Sequence, residues 1–343
     1  MPFYVSVIVT ILAFGIMVML HEAGHFFTAR AFGVTVHEFS IGMGPCIFKW
    51  GKGETQYSLR LLPLGGYVKL EGEEEESDNP KAFSNISPIK RICILVAGAA
   101  MNILLGFLCF VIVNGAYPIK QVPVISNVLE NSAAEQAGLM VGDEIIKLDN
   151  TRVHTHSDIA LFMMKEPEVV KVTYVRDGER NYVELSPYRE NGQLLIGFQS
   201  TLKKLNFAQV WEYSYYDTCY VVKAVATSVK MLFTGEAKVS DMSGPVGIVQ
   251  VVDDTAESAK DYGVKAMLMQ ILMLFAMISV NLGVFNLFPF PALDGGSIIF
   301  AFIELVTRKK LKQEVLGYIN LIGLALILAL GVFVMYSDIM KLL

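Results

Sequence analysis

Three ionisable side chains within five residues carry the chemistry open to this chain: His21, Glu22 and His25, in the order His-Glu-Ala-Gly-His. On a helix, His21 and His25 stand at i and i+4, so both imidazoles project from one face and can share one ion. Glu22 lies beside them, within reach of a water on that ion. Two neutral imidazoles and one further ligand leave a position of a tetrahedral zinc open, which is the arrangement of a catalytic site. The pattern ends an unbroken apolar run from Phe3 to Leu20. Ionisable groups at the edge of a membrane span are costly to insert and mark function, which sets the motif apart from a chance match.

A third ligand is sought among His, Asp and Glu. His37 and Glu38 are near in sequence but follow the helix on an extended stretch. Asp294 fits better. It stands in Asn286-Leu-Phe-Pro289-Phe-Pro-Ala-Leu-Asp294-Gly-Gly, where prolines stop a helix and glycines admit a close neighbour. A carboxylate at the end of an apolar segment needs a compensating partner, and zinc is one; the alternative is a helix-capping aspartate. His154 and His156, on a polar turn without acidic or thiol partners at ligand spacing, read as surface histidines.

The elements that must position these groups read as membrane helices. Of 343 residues, 53% are hydrophobic and 18% charged, and the mean hydropathy is +0.48. An integral membrane protein is implied, and the net charge of -5 argues against a nucleic-acid partner. Four stretches are long enough to cross a bilayer, roughly 3–28, 92–116, 266–288 and 315–336. The first lacks a basic leader region and a cleavage site and runs into the histidines, so it reads as a retained span. Gly98 and Gly106 in the second suit close helix packing. Four cysteines without C-x-x-C spacing make a thiolate zinc site or disulfide framework improbable. Basic residues cluster between spans one and two and between spans three and four, so both connections are expected on the cytoplasmic side. The metal motif falls on that side, and the long stretch between spans two and three faces outward.

Between spans one and two, glycine-punctuated segments over residues 41–70 alternate as strands, and a sheet edge there could pair with an extended peptide. Four regions result: residues 1–118, 119–202, 203–262 and 263–343. The second mixes strands with Ala137-Gly-Leu-x-x-Gly-Asp-x-Ile, which resembles a bacterial-type PDZ domain. It would either hold peptide C-termini or act as a spacer or gate. The third opens with an aromatic-rich helix over 204–234, read as interfacial, and reaches a turn at Ser243–Ile248.

His21–His25, the glycine loop at 42–44, the Pro63–Leu70 segment, the PDZ-like insert, Ser243–Ile248 and Asn286–Gly296, in this order, resemble the site-2 protease family. More narrowly they resemble the bacterial RseP-type intramembrane zinc metalloproteases. That resemblance implies a polytopic α-helical membrane protein with a small β-rich membrane loop and one extracytoplasmic PDZ-like α/β domain. It implies zinc on His21, His25 and Asp294, with Glu22 as catalytic base. Asn286 and Pro289 would hold an unwound substrate helix. Substrates would be single-span proteins already trimmed outside, such as anti-sigma factors, and remnant signal peptides, in a bacterial plasma membrane. Some relatives carry two PDZ domains where one is visible here. Two other classes remain: a PDZ-bearing membrane scaffold with a structural zinc, and a zinc transporter. The first needs a fourth closed ligand, and the second needs polar residues along several spans.

Overall fold

The computed structural model describes residues 2–51, 53–73, 77–190, 192–237 and 242–342. In chain order the elements are α1 (Phe3–Ala31), β1 (Val36–Trp50), β2 (Gln56–Leu70), α2 (Pro88–Ala116), β3 (Ile119–Val128), α3 (Ala133–Gln136), β4 (Glu144–Leu148) and β5 (Thr151–Arg152). Then come α4 (His156–Met163), β6 (Val170–Arg176), β7 (Glu179–Leu185), β8 (Tyr188–Glu190), β9 (Gln193–Leu195) and β10 (Phe198–Lys204). The chain closes with α5 (Phe207–Thr234), α6 (Pro245–Ser258), α7 (Val264–Asn286), α8 (Asp294–Thr307) and α9 (Gln313–Leu342). Two compact units result: residues 1–109 with 225–343, and residues 110–224.

In the first unit, α1, α2, α7 and α9 are the four helices among the described residues long and apolar enough to cross a membrane. α9 leaves Leu321, Leu328, Val332 and Phe333 exposed, a surface suited to lipid. Small residues set the helix contacts. A Cβ on Gly24 of α1 would come within 2.9 Å of Gly98 Cα on α2, and one on Gly106 would meet the Ala276 carbonyl of α7 at 2.7 Å. Gly283 of α7 is likewise closed by the Ala99 carbonyl at 2.8 Å. These are the close backbone approaches that drive packing where lipid competes with apolar side chains.

The Ser243–Ile248 stretch, expected as a turn, opens α6: Gly244 is the N-cap residue and Pro245 stands in the first turn. The missing side-chain cap is supplied from α9, where Asp338 Oδ2 accepts the N–H groups of Gly244 and Gly247, both at 2.9 Å. Ser6 of α1 donates to Asp253 of α6 at 2.6 Å.

β1 and β2 pair with each other twice. Ser40 stands opposite both Tyr67 and Ser58, and Ile41 opposite both Gly66 and Leu59. Residues 38–41 are therefore flanked on both sides, and the Gly66–Leu70 segment lies outside them. Arg60 ties the arrangement together. Its guanidinium donates to Glu38 at 3.0 Å, Ser40 Oγ at 3.0 Å and the Gly44 carbonyl at 2.8 Å. Gly42 and Gly44 take φ of 85° and 82°, which only glycine adopts without strain.

The second unit is built on a sheet of six strands among the described residues, ordered β10-β3-β4-β6-β7 with β5 on β4, all pairs antiparallel. Ile125, Ile145, Leu148, Val170 and Val172 pack with Ile159 and Phe162 of α4 and Leu139 to form its core. Asp143, 1% exposed, accepts a two-pronged bond from Arg176, each arm 2.7 Å, and the Met140 N–H at 2.8 Å. This explains the aspartate of the sequence motif, and Gly142 before it takes φ 95°. The first turns of α5 join this unit: Val210 and Tyr213 pack on Val122, and Tyr216 stacks on His154 with ring centroids 4.3 Å apart.

Candidate active site

The near-uniform apolar character of α1 carries it through the first unit until His21 and His25 emerge side by side, one turn apart. Both are buried, and their Nε2 atoms are 3.0 Å apart. Asp294 reaches them from far along the chain. It is the first residue of α8, placed by the turn that follows α7, and its Oδ2 lies 3.2 Å from His21 Nε2 and 3.4 Å from His25 Nε2. The turn is tight: Ala292 takes φ 70°, and Gly295 and Gly296 sit against the carbonyls of Leu287, Phe288 and Phe290 with no room for a Cβ. Asp294 does not cap α8; the N-cap is Leu293, without a side-chain bond.

Among the described residues this trio is the one group of three His, Cys, Asp or Glu ligand atoms converging on a common point, all within 4.8 Å of one another. Three basic atoms face one another at contact distance, and buried Oδ2 of Asp294 makes no hydrogen bond of acceptable geometry among the described residues. Converging lone pairs with an orphaned carboxylate oxygen fit a cation, and the His₂-carboxylate donor set fits zinc.

The surroundings orient the ligands. His25 Nδ1 is 2.9 Å from the carbonyl oxygen of Ile94 on α2. His21 Nδ1 faces two amides, those of Asn102 on α2 and Asn286 on α7, each 3.4 Å away. Asn102 is fully buried, its Oδ1 has no partner among the described residues, and its backbone carbonyl accepts Ser279 Oγ at 2.8 Å. Gly98, one turn earlier, leaves room for the imidazoles: a Cβ there would come within 2.8 Å of His21 Cε1. Asn102 is not marked by the sequence, because a lone asparagine in an apolar run carries no pattern. Its spacing of four from Gly98 was the available signal.

A cavity of about 260 Å³ opens on the trio, lined by Glu22, Val68, Leu70, Asn286 and Ala292 among others. Glu22 lies against the outer segment of β2, where a Cβ on Gly66 would be 3.7 Å from Glu22 Cγ and Val68 lines the same cavity. The structure thus brings His21, Glu22, His25, Asp294 and Asn286 to one cavity. Pro289 is exposed on the turn after α7 and does not line it. His37 pairs with Glu71 at 2.5 Å, and Glu38 with Arg60 and Ser58, away from the trio. His154 and His156 join no metal-ligand group among the described residues, and His156 Nδ1 lies 2.8 Å from Ser200 Oγ.

The family model described as Peptidase family M50 matches residues 9–330. A Clostridium acetobutylicum protein named "Putative zinc metalloprotease" is 36% identical over 340 residues, covering 98% of each chain. "Zinc metalloprotease RasP" of Geobacillus kaustophilus is 28% identical over 422 residues, again 98% of each. "Regulator of sigma-W protease RasP" of Bacillus subtilis is 27% identical over 426 residues, 98% of this chain and 99% of that one.

Proposed function

The chain belongs to peptidase family M50 and is a zinc metallopeptidase of the site-2 type, and we propose that it cleaves a peptide bond within or beside the transmembrane helix of a single-span protein. The observation that carries this reading is the convergence of His21, His25 and Asp294 beside Glu22, in a cavity of a unit with four apolar helices. His21, His25 and Asp294 hold the zinc. Bound there, zinc supplies the Lewis acidity that makes water a nucleophile near neutral pH.

The chain's own residues do the rest. Glu22 takes the proton from the attacking water and returns it to the leaving amine. His25 must carry its proton on Nδ1, since a carbonyl only accepts, and this leaves Nε2 bare for the metal. His21 needs the same tautomer, hence an acceptor at Nδ1. A half-turn of the Asn102 amide brings its unpartnered carbonyl there, which leaves Asn286 free for substrate. A helical substrate hides its carbonyls in i to i−4 bonds and must unwind before attack. The outer segment Gly66–Leu70 offers strand pairing in exchange, with Asn286 and the Pro289 turn holding the unwound stretch.

The second unit serves as a PDZ-like domain. A hollow of about 550 Å³ runs beside α4 and residues 192–198, lined by Ile159, Met163, Leu194, Ile196 and Phe198. Its apolar walls suit the C-terminus of a trimmed substrate, and a size filter is the competing role. Anti-sigma-factor-like proteins and remnant signal peptides are the proposed substrates. The name of the Bacillus subtilis relative supports the first class. The distribution of basic residues favours a plasma-membrane protein with its active site towards the cytoplasm and this domain outside.

Asp294→Asn tests the ligand set. The substitution keeps shape and removes charge, so bound zinc should fall well below one per chain and cleavage of a trimmed single-span substrate should stop. Full zinc with full cleavage would remove Asp294 from the site.

A further inference from the structure

A second hollow lies away from the metal ligands, between the start of α2 and the end of α8, with a volume of about 350 Å³. Among the described residues, four cations line it, Arg91, Arg308, Lys309 and Lys310, against the single carboxylate of Glu304. That carboxylate is committed. It pairs with Arg91, and its Oε1 accepts the Leu311 N–H at 2.9 Å. Arg91 is only 7% exposed, yet its Nε has no hydrogen-bond partner among the described residues. A buried guanidinium N–H left unmet is costly, so a further acceptor belongs there. Arg308 and Lys309 make no ion pair with any described residue, and Lys310 spends one donor on Asn85 Oδ1, at 2.9 Å.

The backbone points the same way. α8 ends with Arg308 at φ 56°, a left-handed position that glycine fills without strain. An arginine there gives up stability while placing a cation at the mouth of the hollow. Ser84 lines the same space.

We propose that this hollow binds the phosphate of an anionic phospholipid headgroup. Guanidinium and ammonium groups converging without enough carboxylates match a phosphate, which accepts several charge-assisted bonds at once. A lipid is the source favoured by position. Arg91 lies in the first turn of a helix apolar enough to span a membrane, and exposed Ile89, Phe302 and Val306 on the same two helices offer a path for acyl chains. A headgroup held there would bridge α2 to the far end of the helix that begins with Asp294.

The test uses the full-length protein in nanodiscs of phosphatidylcholine, alone or mixed with phosphatidylglycerol. Native mass spectrometry would count retained lipids for wild type and for R308Q/K309Q/K310Q, whose altered side chains are all exposed. Wild type should retain phosphatidylglycerol over phosphatidylcholine by about tenfold or more, and the triple variant should lose most of that preference. Equal retention of both lipids by wild type overturns the proposal. A photoactivatable phosphatidylglycerol tests wild type without relying on the variant. Labelling within residues 84–91 and 304–310 supports the site, and labelling confined elsewhere overturns it. Protection of this site by glycerol phosphate, without phosphatidylglycerol retention, would make it a soluble-phosphate site and overturn the lipid assignment.

Discussion

His25 Nδ1 lies 2.9 Å from the Ile94 carbonyl, whereas His21 Nδ1 faces only side-chain amides. One ligand is thus oriented by backbone, which no substitution removes, and the other by the side chain of Asn102. Asn102→Ala should weaken zinc binding by about 10- to 100-fold, read by chelator competition. Asn102→Asp, which keeps an acceptor, should recover part of the loss. Unchanged zinc affinity in Asn102→Ala would assign the residue to packing alone.

Gly98 decides how closely α2 can approach the imidazoles. In Gly98→Ala the new methyl must displace His21 and His25, and overpacking of this kind costs about 1–3 kcal/mol. Zinc affinity should fall while helix content by circular dichroism stays the same. Full affinity would mean that the helices separate freely.

Asp143 and Arg176 are the polar anchor of the second unit. Burial pushes the Asp143 pKa up, but the Arg176 bonds, the Met140 N–H and the Arg176 charge outweigh it and hold the carboxyl below its ordinary value of 3.8. The folded state therefore binds this proton less readily than the unfolded chain. The contribution is complete above about pH 4 and fades as pH falls below the ordinary aspartate value. Asp143→Asn should cost about 1–3 kcal/mol at neutral pH, because a buried amide NH₂ would then face an N–H donor where a carboxylate oxygen accepted. Faster amide exchange in β4 and β6 of the full-length protein would register it, and the difference from wild type should shrink in acid. A loss independent of pH would point to shape and not charge.

The parts legible in the sequence are those fixed by one local rule. Four apolar stretches became four helices because crossing a bilayer demands length, and His21, Glu22 and His25 share one turn of helix by spacing alone. Asp294 stood out because a carboxylate beside prolines and glycines at the end of an apolar run needs a reason. What escaped depends on other parts of the chain. α8 is 14 residues, too short to read as a span, and its apolar run looked like part of a connection. The helix opening at Pro245 takes its cap from Asp338, 94 residues from Gly244. The double pairing of residues 38–41 is set by a fold-back that alternation cannot reveal. Asn102 gains its meaning from His21, across two helices.

Glu22→Gln tests the central claim most directly. The glutamine keeps the shape beside Gly66 and Val68 and leaves the three ligands untouched, but it cannot take a proton. In purified full-length protein with a trimmed single-span substrate, about one zinc per chain is expected in both forms. Cleavage should fall by about a hundredfold or more in the variant. Cleavage at the wild-type rate, with zinc bound, would contradict the account.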